Sequence, residues 1–238
     1  NINANCGSTH PEELMEFVKA NKLDMGLAFD GDADRMLAVD ENGNLIDGDK
    51  IIAVCAMQMK QEGKLKNDTA VVTVMSNMGF FKFCEEYGIK CAKTAVGDRY
   101  VLERMLKNGY NIGGEQSGHV IFLDYATTGD GELSGVKLIE TVKKSGAALG
   151  ELAKVRSVSP QVLISVEVTP EGKKKYNNYQ YIISAVQEAE MELHGDGRVL
   201  VRVSGTEPLV RVMLEGKDIE KITNLGNYID DVVRERLS

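Results

Sequence analysis

Asp30, Asp32 and Asp34 alternate in Asp30-Gly31-Asp32-Ala33-Asp34-Arg35, with a guanidinium directly after the third carboxylate. Like charges this close repel one another, and burying any of them is costly unless a cation lies among them. Leu27-Ala28-Phe29 and Met36-Leu37-Ala38-Val39 flank the segment as short apolar runs, so it reads as a loop between buried strands rather than a solvated acidic turn. Gly31 and Ala33 are small enough to let the backbone curl and aim alternate carboxylates at one point. A hard divalent cation suits this donor set, Mg²⁺ foremost, because it takes a few carboxylates together with phosphate oxygens. Asp30, Asp32, Asp34 and Glu41 also fall at EF-hand ligand positions. However, Arg35 stands where that loop needs Gly, and strand-like residues follow in place of a helix.

A second polar segment is Gly113-Gly114-Glu115-Gln116-Ser117-Gly118-His119. If extended, it places Glu115, Ser117 and His119 on one side, where a carboxylate, a hydroxyl and an imidazole can hydrogen-bond a polyol. The competing reading is a glycine-rich turn with a structural histidine; His10 and His194 read as structural or surface residues. A third segment, Arg202-Val203-Ser204-Gly205-Thr206-Glu207-Pro208-Leu209-Val210-Arg211, supplies two guanidinium groups, two hydroxyls and the backbone amides around Gly205. Arginine forks match phosphate oxygens, and successive amides make an anion nest. No GxxxxGK[ST] run is present, so this is not a P-loop. The competing reading here is a hairpin with solvent-facing arginines.

The elements that must carry these loops follow from periodicity. Thr9-His10-Pro11-Glu12 resembles a capping box ahead of Leu14, Phe17 and Val18 at helical spacing. Strands are expected at 25–29 and up to 39, a turn at 41–44, then alternation: helix 51–59, strand 69–75, helix 79–87, strand 90–94, helix 100–108, short strand 111–113, strand 119–123, helix 132–144. Such alternation predicts a mostly parallel α/β sheet covered on both faces, with ligands outside the carboxyl ends of its strands. Ser76-Asn77-Met78-Gly79, Val96-Gly97-Asp98-Arg99 and Gly113–His119 fall at those ends, which makes Asp98 and Arg99 further candidates. Beyond about residue 157 the order is strand 162–168, a polar Lys-rich stretch, helix 181–191, strands 198–203 and 209–215 and a last helix, which predicts a small antiparallel α+β domain.

Length allows one large domain or two smaller ones, and 43% apolar with 27% charged residues is ordinary soluble composition. A net charge of -8 opposes nucleic-acid binding and requires any anionic substrate to be held by a local cluster of cations. Cys6, Cys55, Cys84 and Cys91 lack CxxC or zinc spacing, and no apolar run approaches a membrane span. Reduced thiols, a cytoplasmic location and no membrane partner are therefore expected. Because the chain starts at Asn1 without a methionine, a piece of a longer protein is also expected.

Taken together, the segments 30–35, 114–119 and 202–208, with 1–11, 73–77 and 94–101, resemble the α-D-phosphohexomutase superfamily, in the family's order, and most closely its bacterial phosphoglucosamine mutase branch. The resemblance implies three regions: 1–45, the end of a second domain with the metal loop; 46–157, a third, sugar-binding α/β domain; and 158–238, a fourth, phosphate-binding α+β domain. It implies an intramolecular phosphotransferase of amino-sugar metabolism that interconverts glucosamine 6-phosphate and glucosamine 1-phosphate through a phosphoserine and a 1,6-bisphosphate. Phosphoglucomutase or phosphomannomutase activity is the nearest alternative. For these residues alone a non-catalytic phosphosugar- and metal-binding fragment is expected, and an aspartyl phosphatase using Asp30 is a further alternative. By the resemblance, Asp30, Asp32 and Asp34 hold Mg²⁺ and Arg35 is catalytic. Asp98, Arg99, Glu115, Ser117, His119, Arg202, Ser204, Gly205, Thr206 and Arg211 bind the hexosamine phosphate. The family's serine loop matches nothing in this chain: Ser8, Ser76, Ser117 and Ser204 belong to other motifs, so the missing amino-terminal domains become necessary partners. A homodimer stays open. Ala33 stands where many relatives have Gly, a change the metal loop is expected to tolerate.

Overall fold

Gly26 has no side chain because Val18 and Leu14 occupy the space one would fill, with Val18 Cγ2 only 2.7 Å from the position of a Cβ. This contact seats Glu12–Asn21 (α1) on Met25–Phe29 (β1). The computed structural model describes residues 2, 4–155, 158–176, 180–204 and 207–237, and divides into two units, 1–157 and 158–238. The capping box at Thr9 does not form. The helix begins at Glu12 behind Pro11, so Glu12 is its first residue rather than its third, and no side chain caps it. Phe17, expected on the packed face, is 57% exposed. β1 pairs antiparallel with Met36–Asp40 (β2), which pairs with Leu45–Ile46 (β3).

Gly48–Gln61 (α2) then leads into the main sheet. Thr69–Thr73 (β4) is buried along its whole length, with Ala70 and Val72 in one apolar cluster and Val71 in another. A continuous β-branched strand of this kind is what a sheet covered on both faces requires. Met78–Glu86 (α3), Lys90–Thr94 (β5), Asp98–Asn108 (α4), Ile112–Gly114 (β6), Val120–Phe122 (β7) and Gly131–Ser145 (α5) follow. The strand order is β5-β4-β6-β7, the first three parallel and β7 antiparallel to β6. One face is filled by Ile51, Ile52, Phe80, Phe83 and Leu138 from α2, α3 and α5, the other by Val101 and Met105 from α4. Burying a phenylalanine such as Phe80 or Phe83 stabilises by roughly 1.5–3 kcal/mol. β4 stops two residues earlier than expected because the Thr73 hydroxyl accepts from Met75 N–H at 3.2 Å and turns the chain out of the sheet. Leu149–Leu152 (α6) ends the unit's regular structure with a following 3₁₀ turn.

The second unit is a three-stranded antiparallel sheet, Gln161–Glu167 (β8), Gly197–Val203 (β9) and Leu209–Gly216 (β10), in the order β8-β10-β9. Val210, Val212 and Leu214 point to one face, where Gln180–Glu192 (α8) and Ile219–Leu237 (α9) cover them with Ile182, Ala185, Ile222, Ile229 and Val233. The polar Lys-rich stretch contains the helix Pro170–Lys175 (α7). Thr169 caps it by accepting from Gly172 N–H at 3.0 Å, a Thr-Pro start that was present in the sequence. Among the described residues no helix is long and apolar enough to cross a membrane.

Candidate functional site

The Phe29–Met36 pair is the last rung between β1 and β2, so Asp30–Arg35 is the tight connection of a hairpin. Ala33 N–H donates to Asp30 O at 3.2 Å, and Arg35 N–H donates to Asp30 Oδ1 at 3.1 Å. The curl brings one oxygen from each of Asp30, Asp32 and Asp34 within 4.8 Å of the others. Two oxygens on one Mg²⁺ lie about 3 Å apart when adjacent and about 4.2 Å when opposite, so slight contraction closes this set on the ion. Asp30 and Asp34 are half-buried and Asp32 is exposed. The nearby cation, Arg35, is loosely placed: Nε is 3.9 Å from Asp30 Oδ2 and the side chain is 46% exposed. Ala33 takes the curl at φ 59°, a left-handed conformation that glycine adopts more easily. Strands on both sides, with no helix, dispose of the EF-hand.

The Glu115–His119 segment is not extended, and its three side chains do not share a face. Glu115 N–H donates to His119 O and Gly118 N–H to Glu115 O, both at 3.0 Å, which closes a hairpin turn between β6 and β7. The turn leaves Ser117 exposed and buries His119 to 4%. His119 Nδ1 lies 2.9 Å from Asp34 Oδ2, and Gly129 N–H donates to its Nε2 at 3.0 Å. The two hairpins are tied again where Met36 N–H donates to Gly118 O at 3.1 Å. Behind them, Gly131 at the start of α5 donates its N–H to Ala33 O at 2.9 Å. The loops of residues 30–35 and 115–119 are thus one construction, buttressed by the first turn of α5.

Glu115 is half-buried, and its Oε1 accepts from Gly97 N–H at 3.1 Å, so this side chain also pins the loop ahead of α4. Asp98 and Arg99 start α4 on its exposed surface. Arg99 Nε lies 2.7 Å from Glu103 Oε1, an i,i+4 pair that holds the guanidinium on its own helix and raises its already high pKa. Sequence reasoning missed the group that supports all of this, Asp47-Gly48-Asp49. Asp47 caps α2 by accepting from Lys50 N–H at 2.9 Å and receives Gln116 Nε2 at 3.3 Å. Gly48 N–H donates to Gln116 O at 3.0 Å, and Asp49, fully buried, accepts from Asn77 N–H at 2.8 Å. The signal was an aspartate, Asp47, immediately ahead of a helical run, the usual mark of a helix start.

In the second unit Arg202 and Arg211 are direct cross-strand partners on β9 and β10, on the sheet face opposite α8 and α9. Like charges so placed repel unless an anion lies between or beside them. Glu207 is one such anion, with Oε2 2.8 Å from Arg211 Nη2. Ser204 is buried; its N–H donates to Leu209 O at 2.8 Å and its hydroxyl accepts from Glu207 N–H at 3.2 Å. Lys173 Nζ, not anticipated from sequence, donates to Glu207 O at 2.8 Å. Gly205 and Thr206 lie outside the described residues.

The profile described as phosphoglucomutase/phosphomannomutase alpha/beta/alpha domain II matches residues 3–43, domain III matches 47–157 and the C-terminal domain matches 163–232. The chain is 58% identical over 237 residues to phosphoglucosamine mutase of Brevibacillus brevis, covering 100% of this chain and 52% of that protein. It is 55% identical to phosphoglucosamine mutase of Bacillus subtilis, again over 100% of this chain and 52% of the relative. The chain thus spans about half the length of the curated relatives it matches. Among solved structures, Aspergillus fumigatus N-acetylphosphoglucosamine mutase in complex with GlcNAc-6P and magnesium superposes with a TM-score of 0.81 at 22% identity, covering 99% of this chain and 54% of that one, a likeness of fold. With three successive domain profiles matched in order and more than half of its residues shared with these bacterial enzymes, the chain belongs to the phosphoglucomutase/phosphomannomutase family.

Proposed function

We propose that this chain is the metal- and phosphosugar-binding part of a phosphoglucosamine mutase, an enzyme interconverting glucosamine 6-phosphate and glucosamine 1-phosphate. One observation supports the reading: three carboxylates converge on a loop that is hydrogen-bonded to the Gly114–His119 hairpin, the segment that would read the sugar hydroxyls. Names and identities of the bacterial relatives support the hexosamine phosphate over other sugars. Mg²⁺ fits the donor set of Asp30, Asp32 and Asp34, and when bound it supplies charge neutralisation for phosphoryl transfer. Arg35, exposed and only loosely paired, is free to swing towards the transferring group. Glu115 and Ser117 hydrogen-bond the sugar hydroxyls. In the second unit Arg202, Ser204, Gly205, Thr206 and Arg211 bind the phosphate that stays in place. The phosphoryl-carrying serine comes from a part of the protein outside these 238 residues, and the whole enzyme works in the cytoplasm.

The test compares this chain with the longer gene product, each supplied with glucosamine 6-phosphate, Mg²⁺ and catalytic 1,6-bisphosphate. Glucosamine 1-phosphate should form only with the longer protein. Turnover by the chain alone would refute the missing nucleophile, and faster turnover of glucose or mannose phosphates would move the assignment to phosphoglucomutase/phosphomannomutase. Within the chain, Arg202→Ala should weaken sugar-phosphate binding by about 1.5–3 kcal/mol, as for a lost charge-assisted contact. Unchanged affinity by calorimetry would remove the arginine hairpin from the site.

A further inference from the structure

We propose that His119 is a positioning residue for Asp34, holding the third carboxylate of the acidic loop in the orientation that accepts a cation, and does not touch the sugar. The proposal rests on the reading of Asp30, Asp32 and Asp34 as a cation site. A backbone N–H can only donate, so the 3.0 Å contact from Gly129 makes Nε2 an acceptor. The ring proton then sits on Nδ1 and is donated to Asp34 Oδ2 at 2.9 Å. Both ring nitrogens are spent on protein partners, and the side chain is 4% exposed, which leaves it nothing to offer a ligand. The order is one-directional, from Gly129 N–H through the imidazole to Asp34. It fixes the carboxylate by its Oδ2 and leaves Oδ1 for a metal, the role that outer hydrogen-bond partners play around metal carboxylates.

Gly129 belongs to this device. A Cβ there would lie 2.5–2.6 Å from three atoms of the His119 ring, so any larger residue displaces the imidazole. Two residues on, Gly131 N–H holds Ala33 O at 2.9 Å. The entry to α5 therefore sets the ring and the acidic loop together, and a disturbance there reaches Asp34 without touching it.

The experiment measures Mn²⁺ binding to the 238-residue chain by the loss of the free-ion electron paramagnetic resonance signal. His119→Ala and Gly129→Ala should each weaken Mn²⁺ by about tenfold or more. His119→Asn places an amide near the position of Nδ1 and should stay within about threefold of wild type, whereas His119→Gln, whose amide reaches the position of Nε2, should behave like the alanine variant. The Asn and Gln variants are similar in polarity, so their ranking decides the question even where His119→Ala fails to fold. Wild-type affinity in His119→Ala, or rescue by Gln rather than Asn, overturns the proposal. So does unchanged Mn²⁺ binding in His119→Ala with a loss of glucosamine 6-phosphate binding, which would return the residue to the sugar. If Asp32→Asn binds Mn²⁺ as wild type does, the cation site itself is wrong and the proposal falls with it. A metal-sensitive Asp32 beside an insensitive His119 sinks this inference alone.

Discussion

The acidic loop of the first unit and the arginine hairpin of the second both gather like charges, and they do so by different means. Around Asp30–Arg35 the work is done by backbone, Met36 to Gly118 and Gly131 to Ala33, and by one buried imidazole that links Gly129 N–H to Asp34. Arg202 and Arg211 are instead set opposite each other by strand register, and Glu207 offsets their repulsion with a half-exposed side chain. Mg²⁺ demands near-octahedral oxygen geometry, whereas a phosphate can be met by guanidinium forks carried on long side chains. The proposed roles, a cradle for a cation and a grip for an anion, match this difference in construction.

Breaking the rigid side should have the largest effect. A Cβ at Gly48 would lie 2.1 Å from Glu115 O and 2.7 Å from Gly118 N, both backbone atoms that cannot swing away. Gly48→Ala should cost about 3 kcal/mol of stability in urea titration and loosen the whole 115–119 turn. A loss below about 0.5 kcal/mol would mean that the turn is as adaptable as the arginine hairpin, and the contrast would fail. A smaller effect of opposite sign is expected at Ala33, which holds φ 59° without being glycine. Ala33→Gly removes that strain and should stabilise by about 1 kcal/mol in the same titration.

How much of this was legible in sequence divides along the same line. Loops made of unusual side chains, Asp30–Arg35 and Arg202–Arg211, announced themselves by charge spacing, and β4 by its β-branched run. The fold class followed from alternation, including a mostly parallel sheet and an antiparallel second unit, but not the strand order β5-β4-β6-β7. What alternation could not give was the turn at 115–119, where closure through Glu115, Gly118 and His119 turns a period-2 pattern into a hairpin. Nor could it give the role of Asp47–Asp49, because their partners Gln116 and Asn77 are distant in sequence. Glycines at 48 and 129 carry no chemistry of their own, and their importance appears only once the atoms crowding them are in place.

Glu62 offers a control for the acidic loop, because the same unit neutralises this carboxylate internally. Hydrogen bonds from Lys64, Gln58 and Lys144 hold it down at about 2. A carboxylate with a depressed folded value contributes stability above its unfolded pKa and loses it as pH falls through the folded one. The window is therefore from about 4.5 down to about 2. Wild type should lose more thermal stability across that window than Glu62→Gln does, by a modest margin because the side chain is solvent-screened. Equal slopes would show that lysines confer nothing on Glu62. The contrast between an internally neutralised acid and a loop with only a loose Arg35 would then lose its force.

The finest test falls on the adaptable side. Glu207 and Arg211 form an i,i+4 pair with side chains 50% and 33% exposed, so the pair is screened and Glu207→Gln should cost less than about 0.5 kcal/mol in stability. Its effect on anion binding should be favourable. The carboxylate occupies Arg211 Nη2 at 2.8 Å, where a phosphate oxygen would sit, and an incoming anion must displace it. Replacing it with a neutral amide removes both the competitor and a negative charge facing the ligand, so inorganic phosphate affinity should rise by about 2–3-fold in calorimetry, the equivalent of a weak surface pair. A tenfold fall would mean that Glu207 orients Arg211 as His119 is inferred to orient Asp34. The second unit would then be as rigidly built as the first, and the division between a fixed cation cradle and a yielding anion grip would have to be abandoned.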